Sequence, residues 1–127
     1  MKVLVVEDSS DVRLLLELEL TARGYAVVVA DSAESGLELA ARERPAVVVS
    51  DLGLPGVDGL ELVRRLRADP SLASIRTIAL SGFGDAEQIE RAIAAGYDLA
   101  LVKPTPAEEL AAAISRCAST APSERAS

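Results

Sequence analysis

Histidine and tryptophan are absent from this 127-residue chain, and cysteine and methionine occur once each. Without histidine the protein has no imidazole nucleophile, no histidine-containing triad and no zinc site built on imidazole. A single cysteine excludes an internal disulfide and fits a reducing compartment. Aromatic residues number only three, Tyr25, Phe83 and Tyr97, so the core must be built from Val, Leu, Ile and Ala. Basic residues are outnumbered 20 to 13, for a formal net charge of −7. That balance argues against nucleic acid as a direct partner, because phosphate contacts need clustered Lys and Arg. No apolar stretch approaches the roughly twenty residues that a membrane helix needs. The N-terminus runs directly into an apolar strand pattern without the parts of a signal peptide, so a cytoplasmic location is expected.

What is present is an alternation of apolar runs and helical patterns, repeated five times with no internal linker. Half of the residues are apolar, enough for one domain with a sizeable core. Strands are expected at 2–6, 26–30, 46–50, 76–80 and 98–102, each a short run rich in β-branched and aliphatic residues. The third, AVVVS, is the most continuously apolar and should be central. Helices fill the intervals. Ser9 or Ser10 caps the first, whose apolar face is read as Val12, Leu15, Leu16 and Leu20, and Gly24 stops it. Ser32 caps the second. Asp58 with Glu61 resembles a capping box for the third, and Asp85 with Gln88 caps the fourth. Thr105, Pro106 and Glu108 are expected at N-cap, N1 and N3 of the last. Arg64, Arg65 and Arg67 read as an exposed helix face, and Cys117 as a core position on the last helix. Short connections and right-handed crossovers then give an α/β fold, a flavodoxin-like (βα)5 doubly wound parallel sheet of strand order 2-1-3-4-5. The domain is expected over 1–118, with 119–127 (STAPSERAS) as a disordered tail or linker.

Four of the strands end in polar residues. Glu7 and Asp8 follow the first, Asp51 the third, Ser81 the fourth, and Lys103 with Pro104 the fifth. Singly, each has an ordinary reading: helix-start acids, a turn Asp, a turn Ser, a solvated Lys. Together they meet at the carboxyl edge of one parallel sheet, where open α/β folds bind ligands. Three carboxylates in one place repel, and a hard divalent cation such as Mg²⁺ relieves that repulsion through oxygen ligands. Asp51, ending the central strand, is the best nucleophile for phosphorus, and Gly53 can turn its carbonyl toward the metal without a side chain in the way. The Lys103 ammonium and the Ser81 hydroxyl would serve the remaining phosphoryl oxygens. Pro104 suggests a cis bond after Lys103.

These pieces, VVEDS, DLGLPGVDG, ALSGFG and GYDLALVKP, make the chain resemble the receiver domain of two-component response regulators over about residues 1–118. Its ALSGFG and GYDLALVKP wording is most similar to receivers attached to hybrid sensor kinases. The resemblance implies that Asp51 takes a phosphoryl group from a histidine kinase or histidine phosphotransfer protein. It implies Mg²⁺ bound by Asp8, Asp51 and the Gly53 carbonyl, with Glu7 acting through water, and Ser81 and Lys103 on the phosphoryl oxygens. It further implies a downstream effector protein or fused domain that reads the phosphorylated state, no membrane insertion, and a monomer or weak homodimer. The chain could stand alone or be one part of a larger protein. Many receivers carry an aromatic residue three positions before the Lys. Here that position is Ala100, and Tyr97 at the start of the strand does not simply replace it. The signal is therefore expected to pass through the Ser81–Gly84 loop, with Phe83 as the moving group. Two other functions share parts of this pattern. An aspartyl-phosphate phosphatase of the haloacid dehalogenase type wants a second Asp two residues after the nucleophile, where this chain has Gly53. A phosphorylation-independent docking domain would have no need of the intact acidic, hydroxyl and ammonium set.

Overall fold

A computed structural model describes residues 1–54, 56–82 and 86–119, without the side chain of Ser119. The expectations placed on Phe83, Asp85 and the tail beyond Ser119 lie outside these residues. Strands and helices alternate: β1 Lys2–Val6, α1 Ser10–Ala22, β2 Ala26–Ala30, α2 Ala33–Glu43, β3 Val47–Asp51, α3 Gly59–Ala68, β4 Arg76–Ser81, α4 Ala86–Ala95, β5 Leu99–Val102 and α5 Ala107–Ser119. All five strands are parallel, in the order β2-β1-β3-β4-β5. This is the expected flavodoxin-like arrangement, with β3 in the middle and every residue of it buried.

The period-two alternation of a strand divides the core into two layers. Val3, Val5, Val47, Val49, Ile78 and Leu80 face α1 and α5, where they meet Leu16, Leu20, Leu110 and Ile114. Cys117 is buried in this layer, as its helical spacing indicated. Leu4, Val6 and Val48 face the other way, onto Ala33, Leu62 and Leu66. Near the β4–β5 side this second layer is completed by Val63, Ala79, Ala92 and Tyr97. Among the described residues no helix is long and apolar enough to cross a membrane.

Local signals set the helix boundaries. Ser9, Ser32 and Asp58 are N-caps whose side chains accept from the backbone N–H three residues on. Gly24 takes the left-handed conformation (φ 97°) that ends α1 within a tight turn into β2. At α5 the expectation needs correction. The helix begins at Ala107, and the Thr105 hydroxyl donates to the Val102 carbonyl at 2.9 Å instead of capping the helix.

Two other readings are corrected by packing. On α1 only Leu16 and Leu20 are buried, while Val12 and Leu15 are exposed (37% and 54%). The start of α1 turns Val12 and Leu15 toward the segment after β5, across a groove of about 640 Å³ that Pro104 and Pro106 also line. On α3, Arg64 and Arg65 are exposed beside Glu61, but Arg67 is not. It follows Val63 by one helical turn and so points inward, where its guanidinium donates to the carbonyls of Ala73, Ile75 and Gly96, to the Thr77 hydroxyl and to Asp98.

Candidate functional site

Register explains how distant residues converge. Val6 pairs with Ser50 across β1 and β3, so the next residues, Glu7 and Asp51, leave the sheet side by side. Ser81 pairs with Val102 across β4 and β5, which brings Lys103 alongside, its N–H donating to the Ser81 carbonyl at 2.7 Å. Asp51 and Ser81 are the last residues of their strands, one position further into the sheet than their sequence patterns suggested. The Lys103–Pro104 bond is cis, as expected.

The Lys103 ammonium donates to Asp51 Oδ2 at 2.9 Å and to Glu7 Oε2 at 3.1 Å. The other Asp51 oxygen, Oδ1, accepts from the Gly53 N–H at 3.0 Å. Glu7 Oε1 accepts from the Ser9 N–H at 3.2 Å, and the Glu7 carbonyl accepts from Arg13 at 2.9 Å. Asp51, Gly53, Ser81 and Lys103 together line a cavity of about 400 Å³. Ser81 and Glu7 are almost fully buried, Asp51 is buried at its rim, and Asp8 is exposed.

Charge is not balanced here. Burial raises the Glu7 carboxyl above its ordinary value; the Ser9 N–H and Lys103 oppose the shift, and the Asp51 charge adds to it. Burial alone would lower Lys103, but hydrogen bonds and charge from Asp51 and Glu7 outweigh it and raise the ammonium above its ordinary value. Glu7, Asp8 and Asp51 each bring a carboxylate oxygen within 4.8 Å of the others. Three carboxylates around one ammonium leave a local excess of negative charge, and all the ligand atoms are oxygen. That donor set fits Mg²⁺, which takes carboxylate oxygens while keeping several waters. The sequence-derived residues Glu7, Asp8, Asp51, Gly53, Ser81 and Lys103 are therefore brought together at one edge.

Two contributors were not anticipated. Gln88, on the first turns of α4, lines the same cavity. Tyr97 lies behind it, its phenol donating to the Gly59 carbonyl at 2.8 Å. Its ring packs in the cluster that holds Ala100, the position where an aromatic was missed in the sequence. An aromatic residue next to Gly96, followed by a small residue at 100, was the available signal.

Comparison with known proteins agrees with this geometry. The sequence profile described as "Response regulator receiver domain" matches residues 3–115. The chain is 38% identical over 111 residues to a transcriptional regulatory protein of Streptomyces coelicolor, covering 87% of this chain and 48% of that protein. It is 32% identical over 114 residues to a probable chemotaxis protein CheY of Rhizobium etli, covering 89% and 88% of the two chains. The crystal structure of a putative response regulator from Chloroflexus aurantiacus superposes with a TM-score of 0.89 at 30% identity, over 94% of this chain and 98% of that one. The chain thus spans most of some relatives and about half of others.

Proposed function

This chain belongs to the response regulator receiver family, and we propose that it accepts a phosphoryl group from a phosphohistidine donor onto Asp51. The observation that carries the reading is the Lys103 ammonium held between Asp51 and Glu7, at the mouth of a cavity that Ser81 also lines. An Asp51 carboxylate oxygen attacks phosphorus, the phosphorus–nitrogen bond of the donor breaks, and its electron pair returns to the imidazole ring. The product is an acyl phosphate on Asp51. Lys103 meets the negative charge on one phosphoryl oxygen as a compact point charge, and the Ser81 hydroxyl donates to another. Mg²⁺ held by Asp8, Asp51 and the Gly53 carbonyl, with Glu7 reaching it through water, would neutralise further phosphoryl charge. Hydrolysis of the acyl phosphate at the same site resets the domain. The protein thus catalyses its own phosphorylation and dephosphorylation without turning over an external substrate.

On this reading residues 1–118 are the working unit, acting in the cytoplasm as a monomer or weak homodimer. A histidine kinase or histidine phosphotransfer protein supplies the phosphoryl group. The apolar start of α1, continuous with the groove beside Lys103, offers that donor a surface next to the reacting carboxylate. A downstream effector protein or fused domain then reads the shifted conformational equilibrium.

The test is intact-protein mass after incubation with acetyl phosphate and Mg²⁺, beside an Asp51→Asn variant and an EDTA control. One added phosphoryl group, absent from both controls, is expected. An adduct that persists in Asp51→Asn, or no adduct with either acetyl phosphate or a phosphohistidine donor, overturns the assignment.

A further inference from the structure

Tyr97 sits between α4 and β5 and is the bulkiest fully buried side chain among the described residues. Small residues at Ala79, Ala92 and Ala100 leave the volume that its ring fills. The phenol reaches the backbone beside the nucleophile. It donates to the Gly59 carbonyl at 2.8 Å. Gly59 is pressed onto the same backbone: a Cβ there would stand 2.6 Å from the Asp51 carbonyl oxygen and 2.8 Å from the Leu52 Cα. The Gly59 N–H also donates to the Leu52 carbonyl at 3.3 Å. One phenol therefore ties down the glycine packed against the Asp51 and Leu52 backbone.

We propose that Tyr97 is a positioning residue for phosphoryl transfer, fixing the Asp51–Leu52 backbone through Gly59 so that the Asp51 carboxylate stands at contact distance from Lys103. The inference rests on the phosphoacceptor reading of Asp51. Misplacing a reacting group by a fraction of an ångström lowers the rate of the step and leaves donor binding untouched. A side chain that only fills the core would show neither effect.

Tyr97→Phe keeps the ring and removes the hydroxyl, so the fold is retained. Labelling by acetyl phosphate with Mg²⁺ is followed well below the melting temperature of both proteins, across a range of acetyl phosphate concentrations. The maximal rate is expected to fall about fivefold, the factor set by losing one typical hydrogen bond, with the half-saturating concentration unchanged. The backbone amide shifts of Leu52 and Gly53 should move in the same variant. Labelled wild type together with a Tyr97→Phe protein of equal rate overturns this inference alone, as does a rate loss that only tracks the unfolded fraction. Wild type that takes no label from acetyl phosphate or from a phosphohistidine donor overturns the phosphoacceptor reading, and the inference with it.

Discussion

At the amino-terminal edge of the sheet the Arg67 guanidinium meets one carboxylate, Asp98, and its other donors go to the Ala73, Ile75 and Gly96 carbonyls and the Thr77 hydroxyl. At the carboxyl-terminal edge the Lys103 ammonium meets two carboxylates, Glu7 and Asp51, with Asp8 close enough to repel both. The two edges use similar chemistry to opposite ends. Around Arg67 a carboxylate, three carbonyls and a hydroxyl take up the guanidinium's donors, which is how a buried ion pair becomes compatible with stability. Around Lys103 the carboxylates are in excess and one of them faces solvent, so part of the electrostatic cost of folding stays uncompensated until something positive arrives. Tyr97 lies between the two. Its backbone separates Gly96 from Asp98, both partners of Arg67, and its phenol reaches the Gly59 carbonyl beside Asp51.

The comparison predicts its largest effect at the closed edge. Arg67→Met keeps the apolar stem but removes the guanidinium from the buried Asp98 pair, with a loss of about 3–5 kcal/mol in urea unfolding. Labelling of the fraction that remains folded should match wild type, because the Arg67 contacts described above lie at the opposite edge of the sheet. A loss well under 1 kcal/mol, or a slower reaction at full folding, would show that the two edges are not separable in this way.

A smaller effect should appear at high pH, through the residue that spans both regions. Burial holds the Tyr97 phenol far above its ordinary value of 10.0, with the Ser50 hydrogen bond opposing and the Asp58 and Asp51 charges adding. As pH rises past 10.0 the unfolded chain gives up this proton while the folded one keeps it, so stability falls with rising pH, by about 1.4 kcal/mol per unit for one proton. Lys103, also raised, acts in the same direction: its contribution is complete below its ordinary 10.5 and is lost as pH climbs through the folded value. Urea midpoints followed from about pH 9 to pH 11 should therefore fall less steeply in Tyr97→Phe than in wild type. Equal slopes would mean that the phenol is not held protonated by the fold.

The fold was legible because each strand is an apolar run closed by Gly, Pro or a capping residue, and because parallel strands with short helical crossovers permit few topologies. The site was legible for a related reason: Glu7, Asp51, Ser81 and Lys103 interrupt apolar runs at their carboxyl ends, and a parallel sheet aligns such ends. What the pattern could not supply were contacts set by the depth of a side chain. Arg67 shares its run of basic residues with Arg64 and Arg65 and so looks like part of a solvated face, although its spacing from Val63 places it on the inner side. Val12 and Leu15 have core spacing, but they line the groove beside Pro104 and Pro106, and only the three-dimensional arrangement shows it. Tyr97 stands out in the sequence as an aromatic in an unusual place; that its hydroxyl ends at Gly59, thirty-eight residues away, follows from the packing of α3 against α4 and from no local signal.

The finest test of the contrast is an Asp→Asn exchange made at each edge. Asp8→Asn removes one of three mutually repelling carboxylates that lie within 4.8 Å of one another, and its exposed position keeps the gain modest. In EDTA the variant should be more stable than wild type, by about 0.5 kcal/mol at the high effective dielectric of an exposed site. With Mg²⁺ at ten times the wild-type Kd, wild type gains about 1.4 kcal/mol and the variant gains little, so their order reverses. Asp98→Asn, at the closed edge, should be less stable than wild type in both buffers, because it breaks the buried ion pair with Arg67. Thermal unfolding of the three proteins in each buffer reads both signs at once. An Asp8→Asn protein that is less stable in EDTA would mean that the carboxylates around Lys103 are already compensated, and the two edges would then differ in degree and not in kind.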